Sequence, residues 1–337
     1  MKRVSGSSLG IGLSLWLAGC VAPPTPINVT GLTEPVELAY VLNDQVWVYD
    51  ADTTQHQGIQ TSVAPLTTAV GSQPALLANG EAVVFVQTVA GAPAKQSYYE
   101  IWEYTFATQS SRLLATHTAN PTQLRVAPNG QYLTYVVADV LYMTDLTAAT
   151  STRLHEGARD SAWSPNSRRI VYATTDDRIL VREFDVEGSL TDPETLLDQA
   201  ATALIFTDNH TLVYSGAYDT GFTLLEYNLN DDTVVPLTSL RFTTATTTDR
   251  IQLDATGERL LYERADDITK QPVVWLVYTK KDVAKRLIES AVNAVWSNTE
   301  DTIYYQTLEP TTITQSNVTG LNHTVFVHGG SAITSIP

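Results

Sequence analysis

The sequence predicts an all-β chain folded as a β-propeller of four-stranded antiparallel blades, seven by the fuller count and six by the stricter one. Three observations predict it. A tight-turn motif returns along the chain at intervals of ~40–50 residues, the length of one four-stranded blade. An aromatic residue follows each turn at a nearly constant distance. The segments around the turns alternate apolar and polar residues with the period of two that strands require, rather than the 3.6 of helices.

The clearest copy of the motif is Ala162-Trp163-Ser164-Pro165-Asn166-Ser167-Arg168-Arg169-Ile170-Val171-Tyr172, read as strand, tight turn, strand. Proline presets φ for a turn, Asn tolerates the left-handed conformation and Ser can bond nearby backbone. Trp163 and Ile170-Val171-Tyr172 favour extended structure. The same frame recurs at Leu77-Ala78-Asn79-Gly80, Ala127-Pro128-Asn129-Gly130, Thr207-Asp208-Asn209-His210, Asp254-Ala255-Thr256-Gly257 and Ser297-Asn298-Thr299-Glu300. Phe85, Tyr135, Tyr172, Tyr262 and Tyr305 stand six residues beyond the third turn position, and Tyr214 five beyond it.

A second signal follows each aromatic strand, a short run carrying a large side chain and ending in a polar turn. It reads as the third strand of a blade. The copies are Gln45 to Asp50, Ile101 to Tyr104, Leu141 to Asp145, Ile179 to Asp185, Leu224 to Asn228, Val274 to Tyr278 and Thr324 to His328. These seven third strands against six turns leave one turn to find. Residues 27–33 are its expected place, with Ile27 to Leu32 as an inner strand, Thr33-Glu34-Pro35 as its turn and Val36 to Leu42, with Tyr40, as the next strand.

The Trp163-Ser164-Pro165-Asn166-Ser167 unit and its weaker copies resemble the repeat of TolB-type propellers, relatives of the WD-repeat architecture, in which a Trp-Ser-Pro-Asp-Gly-like turn precedes an aromatic strand. The resemblance covers nearly all of residues 36–337. The chain departs from it where Asn or Thr replaces the turn Asp, and where the Trp survives only at Trp163 and Trp296. It implies a scaffold of the kind that binds proteins, peptides or glycans.

Residues 1–19 read as a lipoprotein signal peptide: Lys2-Arg3, then an apolar run from Leu9 to Leu17 too short to span as a mature helix, then small residues. Leu17-Ala18-Gly19-Cys20 resembles a bacterial lipobox. Cys20 is the only cysteine, so no internal disulfide is available and its thiol is the expected acceptor of a diacylglyceryl group. Two or more acyl chains at one residue anchor stably, since each buried methylene contributes about 0.8 kcal/mol. Val21 to Pro26 is Pro-rich, so residues 20–35 are expected to form an extended tether. These features predict an extracytoplasmic protein, periplasmic or surface-facing, held to a membrane through its lipid alone.

A formal charge of −16 with no dominant basic cluster excludes nucleic acid as an expected partner. Lys280-Lys281 with Lys285-Arg286 reads as a solvated turn and edge strand. Charged residues make up 17%, below the ~25% of ordinary soluble chains, and Thr, Ser, Gln and Asn fill the difference.

Enzyme signatures are absent. His328-Gly329-Gly330 has no nucleophile elbow to serve, the six His are scattered, and Asp50/Asp52, Asp176-Asp177, Asp231-Asp232 and Asp266-Asp267 lack the spacing of a calcium loop. Neither a cofactor nor a metal is expected. Asp50, Asp145, Asp185 and Asn228 recur at strand ends as turn formers.

Loop length points to one face of the ring. Second-to-third-strand loops and blade-to-blade connections share that face, and the longer ones are read as Ala90 to Tyr98, Ser215 to Phe222, Arg264 to Gln271 and Glu309 to Asn322, with the crossover Arg241 to Asp249. Function concentrates in loops on a rigid scaffold. Tyr98, Tyr99, Tyr218, Asp219, Asp266 and Asp267 are therefore the ligand-face candidates, the aromatics for stacking and the carboxylates for polar contact. The expected role is a non-catalytic binding or scaffold module for an envelope protein, a peptide or a glycan. The alternative is a lyase or hydrolase acting on polysaccharide or peptide at the central channel, which convergent His and carboxylates there would favour.

Overall fold

The computed structural model describes residues 36–43, 45–50, 55–58, 67–68, 74–89, 97–243, 246, 249–297, 301–320 and 322–335. Cys20, the signal segment and the tether lie outside them. Among the described residues there is no helix, and the strands form seven antiparallel sheets. The chain is a seven-bladed β-propeller.

Blades two to seven follow the chain, each running from an inner to an outer strand. Blade four is representative: Ala158–Trp163, Arg169–Thr174, Ile179–Glu183 and Glu194–Leu197 pair in that order. In blade two the inner position is shared by Thr67–Thr68 and Ala75–Leu76, both paired to Ala82–Val89. Blade one is assembled from both ends: Ser331–Ser335 is its inner strand, beside Leu38–Leu42, Gln45–Asp50 and Gln55–Gly58. The C-terminal strand thus takes the inner place expected for Ile27 to Leu32, which lies outside the described residues.

Two further expectations are corrected. Thr324–His328 is the outer strand of blade seven, and its third strand is Thr311–Asn317, so Glu309 to Asn322 is not a loop. Ser215 to Phe222 is not a long loop either, because Thr211–Tyr218 and Gly221–Asn228 run to within a two-residue turn of each other.

Seven sheets, each apolar on both faces, must lean on neighbours. The core is accordingly divided into seven clusters, one at each seam between blades. The repeated aromatic supplies them: Tyr40, Phe85, Tyr135, Tyr172, Tyr214, Tyr262 and Tyr305 all lie on second strands and all are buried. Inner strands touch their neighbours in cyclic order, with Ser331–Ser335 meeting those of blades seven and two, so the ring is closed.

The turn motif has a second use. Its Asn side chain accepts the N–H two residues on, as Asn79 does from Glu81, Asn129 from Gln131 and Asn166 from Arg168. Asn offers the same acceptor oxygen as Asp, so the departure from the TolB-type motif preserves the turn. Across seams, Asn129 N donates to Ser167 Oγ and Asn166 N to Asn209 Oδ1, both at 2.9 Å. Ser167 holds a left-handed φ of 58° where Gly80, Gly130 and Gly257 stand in other copies, and its hydroxyl is the acceptor for the neighbouring blade. Asp145, Asp185 and Asn228 each bond backbone N–H groups ahead of them, as turn formers should.

Gly221 marks where the crossover between blades five and six returns to the sheet. Phe222 and Phe242 exchange backbone hydrogen bonds of 2.8 and 2.9 Å, and a Cβ on Gly221 would stand 2.6 Å from Phe242 O. Gly221→Ala is expected to destabilise by about 1–3 kcal/mol, lowering the urea midpoint. An unchanged midpoint would show that the crossover shifts without cost.

Candidate functional site

The face carrying second-to-third-strand loops divides the six candidates between two places. Tyr98 and Tyr99 begin the third strand of blade two, both partly exposed, with Tyr99 also packing against the blade two–three core. Tyr218 and Asp219 stand at the turn of blade five, and Asp266 and Asp267 in the loop of blade six. The crossover ties this second group together. Arg241 lies 5.4 Å from the Tyr218 ring centroid, and Asp267 Oδ2 accepts the N–H and hydroxyl of Thr243.

Their availability differs. Asp219 is exposed at a left-handed turn position. Asp266 is engaged in its own turn: Oδ1 accepts Ile268 N, Thr269 N and the Thr269 hydroxyl, and Oδ2 pairs with Arg286 at 3.4 Å. Those backbone bonds from Thr269 and Ile268 hold its carboxyl below the ordinary range. Lys280 and Lys285 are exposed and meet Glu258 Oε1 and Thr319 O, as expected of a solvated turn and edge strand.

Beneath this crossover lies a buried ion pair. Arg264 Nη1 stands 3.1 Å from Asp249 Oδ2, and both side chains are 0% exposed. The same oxygen accepts hydrogen bonds from Thr202, Ser215 and Tyr262 hydroxyls, while Thr246 serves Oδ1. The guanidinium lies 4.3 Å from the Phe242 ring centroid. Burial pushes the Asp249 carboxyl up, and Ser215 and Arg264 pull it back. The group locks blade six to blade five.

Around the axis the inner strands carry a second polar set that the sequence reading missed. Arg125, on Thr122–Val126 of blade three, donates to Gln123 Oε1 at 3.2 Å and to Asp160 Oδ1, on the inner strand of blade four, at 3.4 Å. Arg250, on Arg250–Leu253 of blade six, donates to Asn293 Oδ1 of blade seven. Gln252 Nε2 reaches Ser335 Oγ of blade one at 3.3 Å.

The carboxylates here satisfy irregular backbone. Inner strands bulge against their second strands at Ala158/Asp160, Ala201/Leu204 and Val292/Val295, which frees N–H groups from the ladder. Asp160 Oδ2 accepts Leu204 N at 3.3 Å, and Glu263 accepts Asn293 N at 2.9 Å and Ala294 N. Each acid thereby holds the inner strand of the next blade. Burial raises both carboxyls, opposed by Arg125 for Asp160 and by Arg250 for Glu263. The one usable sequence signal was a charged residue repeated in inner strands, at Arg125, Asp160 and Arg250.

No His lies on a described inner strand, and among the described residues no three His, Cys, Asp or Glu converge to metal-binding distance. His117, at the end of the outer strand of blade two, stands 3.1 Å from the Tyr135 hydroxyl of blade three, and His323, just before the outer strand of blade seven, stands 2.7 Å from the Tyr305 hydroxyl of the same blade.

No family model matches the chain, nor does any curated protein. Solved structures match it in shape. TolB from Acinetobacter baumannii is 11% identical over 86% of this chain and 78% of its own, with a TM-score of 0.55. An oligogalacturonate lyase from Vibrio parahaemolyticus is 10% identical over 87% and 86%, at 0.57. A puromycin-hydrolysing peptidase from Mycobacterium tuberculosis is 11% identical over 87% of this chain and 53% of its own, at 0.57. At such identities the likeness is one of fold, that of the β-propeller, which TolB, the lyase and the peptidase share.

Proposed function

We propose that the protein is a lipid-anchored, extracytoplasmic propeller that holds an envelope protein, a peptide or a glycan and performs no chemistry of its own. One observation carries the non-catalytic reading: the buried carboxylates of Asp160, on an inner strand, and Glu263, on a second strand, are occupied by the backbone N–H groups of the next blade. A general acid or base must reach its substrate's proton, and a carboxylate committed to a seam does not. The Leu17-Ala18-Gly19-Cys20 motif supports the anchor, with a signal peptide over residues 1–19 and a tether over 20–35. The exposed group around Tyr218 and Asp219, with Tyr98 and Tyr99 on the same face, supports binding at the loop ends.

Crosslinking in intact cells from a photoreactive residue at Asp219 is expected to capture a discrete partner, and the same residue at Arg153, on the outer strand of blade three, is not. Turnover of a polysaccharide or peptide by purified protein, lost on changing axis residues, would overturn the reading. Cys20→Ser is expected to move the protein from the membrane fraction to the soluble fraction of a lysate without changing its melting temperature. Retention in the membrane fraction would refute the lipid anchor.

A further inference from the structure

The second and third strands of blade two, Ala82–Val89 and Tyr98–Thr105, pair in one unbroken register from Ala82 with Thr105 to Val89 with Tyr98. Alternation therefore places Phe85, Gln87 and Val89 on one side of the blade, with Trp102, Glu100 and Tyr98 directly opposite them. That side is turned to blade one, since Phe85 and Trp102 belong to the core between the two blades. Toward the loop face the apolar seam gives way to a polar pair, Gln87 beside Glu100, with an aromatic ring two residues away on either side of Glu100.

Gln87 is 4% exposed, and its Oε1 is buried with no hydrogen-bond partner among the described residues. The corresponding position, two residues beyond the repeated aromatic, is apolar or glycine in blades one, three and five, at Leu42, Val137 and Gly216. In blades four, six and seven it is polar and satisfied: Thr174 donates to Arg178 O at 3.1 Å, Arg264 pairs with Asp249 at 3.1 Å, and the Thr307 and Thr312 hydroxyls meet at 2.8 Å. A buried amide left unmatched costs free energy, and leucine would fill the same place without that cost. Gln87 is thus better suited to a ligand than to the seam.

The groups around it define the ligand's chemistry. Glu100 Oε2 accepts a hydrogen bond from Trp102 Nε1 at 3.0 Å, which fixes the indole, and Tyr98, Glu100 and Trp102 all stay partly exposed. Tyr98 and Trp102 are four residues apart on an extended strand, a span of about 13 Å. A compact ammonium would reach one ring, whereas an oligosaccharide reaches both and the polar pair between them. Both edges of this strand are taken, by Ala82–Val89 and Ser110–His117, so a peptide finds no free backbone ladder here. A sugar needs none, because amide and carboxylate bond its hydroxyls while the rings cover its apolar C–H faces. The formal charge of −16, and Glu100 itself, disfavour an acidic sugar.

We propose that Gln87, Glu100, Tyr98 and Trp102 form a binding site for a neutral oligosaccharide at the loop-face end of the seam between blades one and two. This rests on the binding-module reading and selects the glycan among its ligands.

Calorimetry on the purified protein tests it, with cellohexaose, chitohexaose and maltohexaose as neutral probes, trigalacturonate as the acidic one and amidated trilysine as the cation. Saturable binding of at least one neutral hexaose is expected, with none for trigalacturonate. Gln87→Leu is expected to weaken that binding about 10- to 100-fold, because a sugar hydroxyl loses its partner. The same variant should melt no lower than the parent, since the unmatched amide is gone. A clear fall in its melting temperature would assign the amide to the seam and overturn the site. Tyr98→Ala, at the partly exposed start of the strand, is expected to weaken binding about 3- to 10-fold, and it keeps the test open if Gln87→Leu does not fold. Glu100→Gln keeps the acceptor and the shape, so a neutral sugar should bind within about threefold of the parent, whereas a cation would lose its counter-charge. Arg153→Gln, on the solvated outer strand of blade three, is expected to bind like the parent. Absence of binding by all three hexaoses, a preference for trigalacturonate or trilysine, or binding unchanged in Gln87→Leu and Tyr98→Ala would overturn the site. Partner capture from Asp219 reads the binding-module role independently of these outcomes.

Discussion

Asp249→Ala is expected to cost about 3–5 kcal/mol, the usual consequence of removing one member of a buried ion pair. The melting temperature should fall by roughly 6–15 °C. Arg264 remains fully buried in this variant without the Asp249 carboxylate 3.1 Å from its Nη1. The Thr202, Ser215 and Tyr262 hydroxyls lose a common acceptor as well. Those groups come from blades five and six, so the damage falls on one seam rather than on one blade. Asp249→Asn keeps an acceptor and the volume and should cost less. The double variant Asp249→Leu with Arg264→Met removes both charges, and should be closer to the parent than Asp249→Ala is, because the penalty lies in the stranded charge. Urea unfolding of all four proteins checks this. If the double variant were the least stable, the pair would be stabilising in its own right and the seam argument would fail.

That seam also shows what the sequence could reveal. The tight turns and the aromatic six residues beyond them were legible because both are local: turn chemistry acts within four residues, and Tyr172 or Tyr262 announces a buried strand wherever it falls in the frame. Outer strands were harder to read. Ser110–His117 and Thr150–Glu156 are largely exposed and polar, so they carry little hydrophobic alternation. Thr311–Asn317 passed for a loop because apart from Ile313 it is made of Thr, Ser, Gln and Asn, yet Thr312, Thr314 and Ser316 are buried, and the Thr307, Thr312 and Thr314 hydroxyls bond one another. Ser215 to Phe222 contains Gly, Asp and Thr in turn-like order, and only its pairing from Ser215 with Leu224 to Tyr218 with Gly221 makes it a hairpin end.

The axis set was illegible for a different reason. Arg125, Asp160, Arg250 and Asn293 come from four blades, and nothing in a linear pattern specifies which inner strands face each other across the ring. The loop-face candidates were chosen by loop length, yet Tyr98 and Tyr99 begin a strand, Tyr218 and Asp219 stand at a tight hairpin turn, and only Asp266 and Asp267 lie in a longer loop. Asp266 and Asp267 are adjacent in sequence, yet Asp266 builds its own turn while Asp267 also reaches across to Thr243 of the crossover.

Deleting residues 329–337 should abolish the native fold or leave it barely stable, because Ser331–Ser335 is the strand that closes the ring. Ile333 is fully buried among Leu38, Tyr40, Val295 and Ile313, at the seam of blades seven and one. Losing that side chain alone corresponds to about 2–5 kcal/mol, against a total of roughly 5–15 kcal/mol for a whole domain. The deletion also removes the hydrogen bonds to Leu38–Leu42 and the contacts with the inner strands of blades seven and two, and leaves Leu38–Leu42 as an open edge. An unpaired, apolar edge recruits another chain. The truncated protein is therefore expected to melt at least 10 °C lower, on the order of 2–4 °C per kcal/mol lost, and to elute as larger species on size exclusion. Ile333→Ala should show the packing part of this loss without the edge. Supplying residues 329–337 as a free peptide should restore much of the lost stability, since strand addition to an exposed edge recovers the ladder and the Ile333 pocket together. A truncated monomer melting within about 2 °C of the full chain would mean that another segment, residues 27–32 being the first to test, can take the inner position of blade one. Deletion of 27–32 discriminates directly: every described strand pair survives it, so the full C-terminus should keep the ring closed and the melting temperature unchanged.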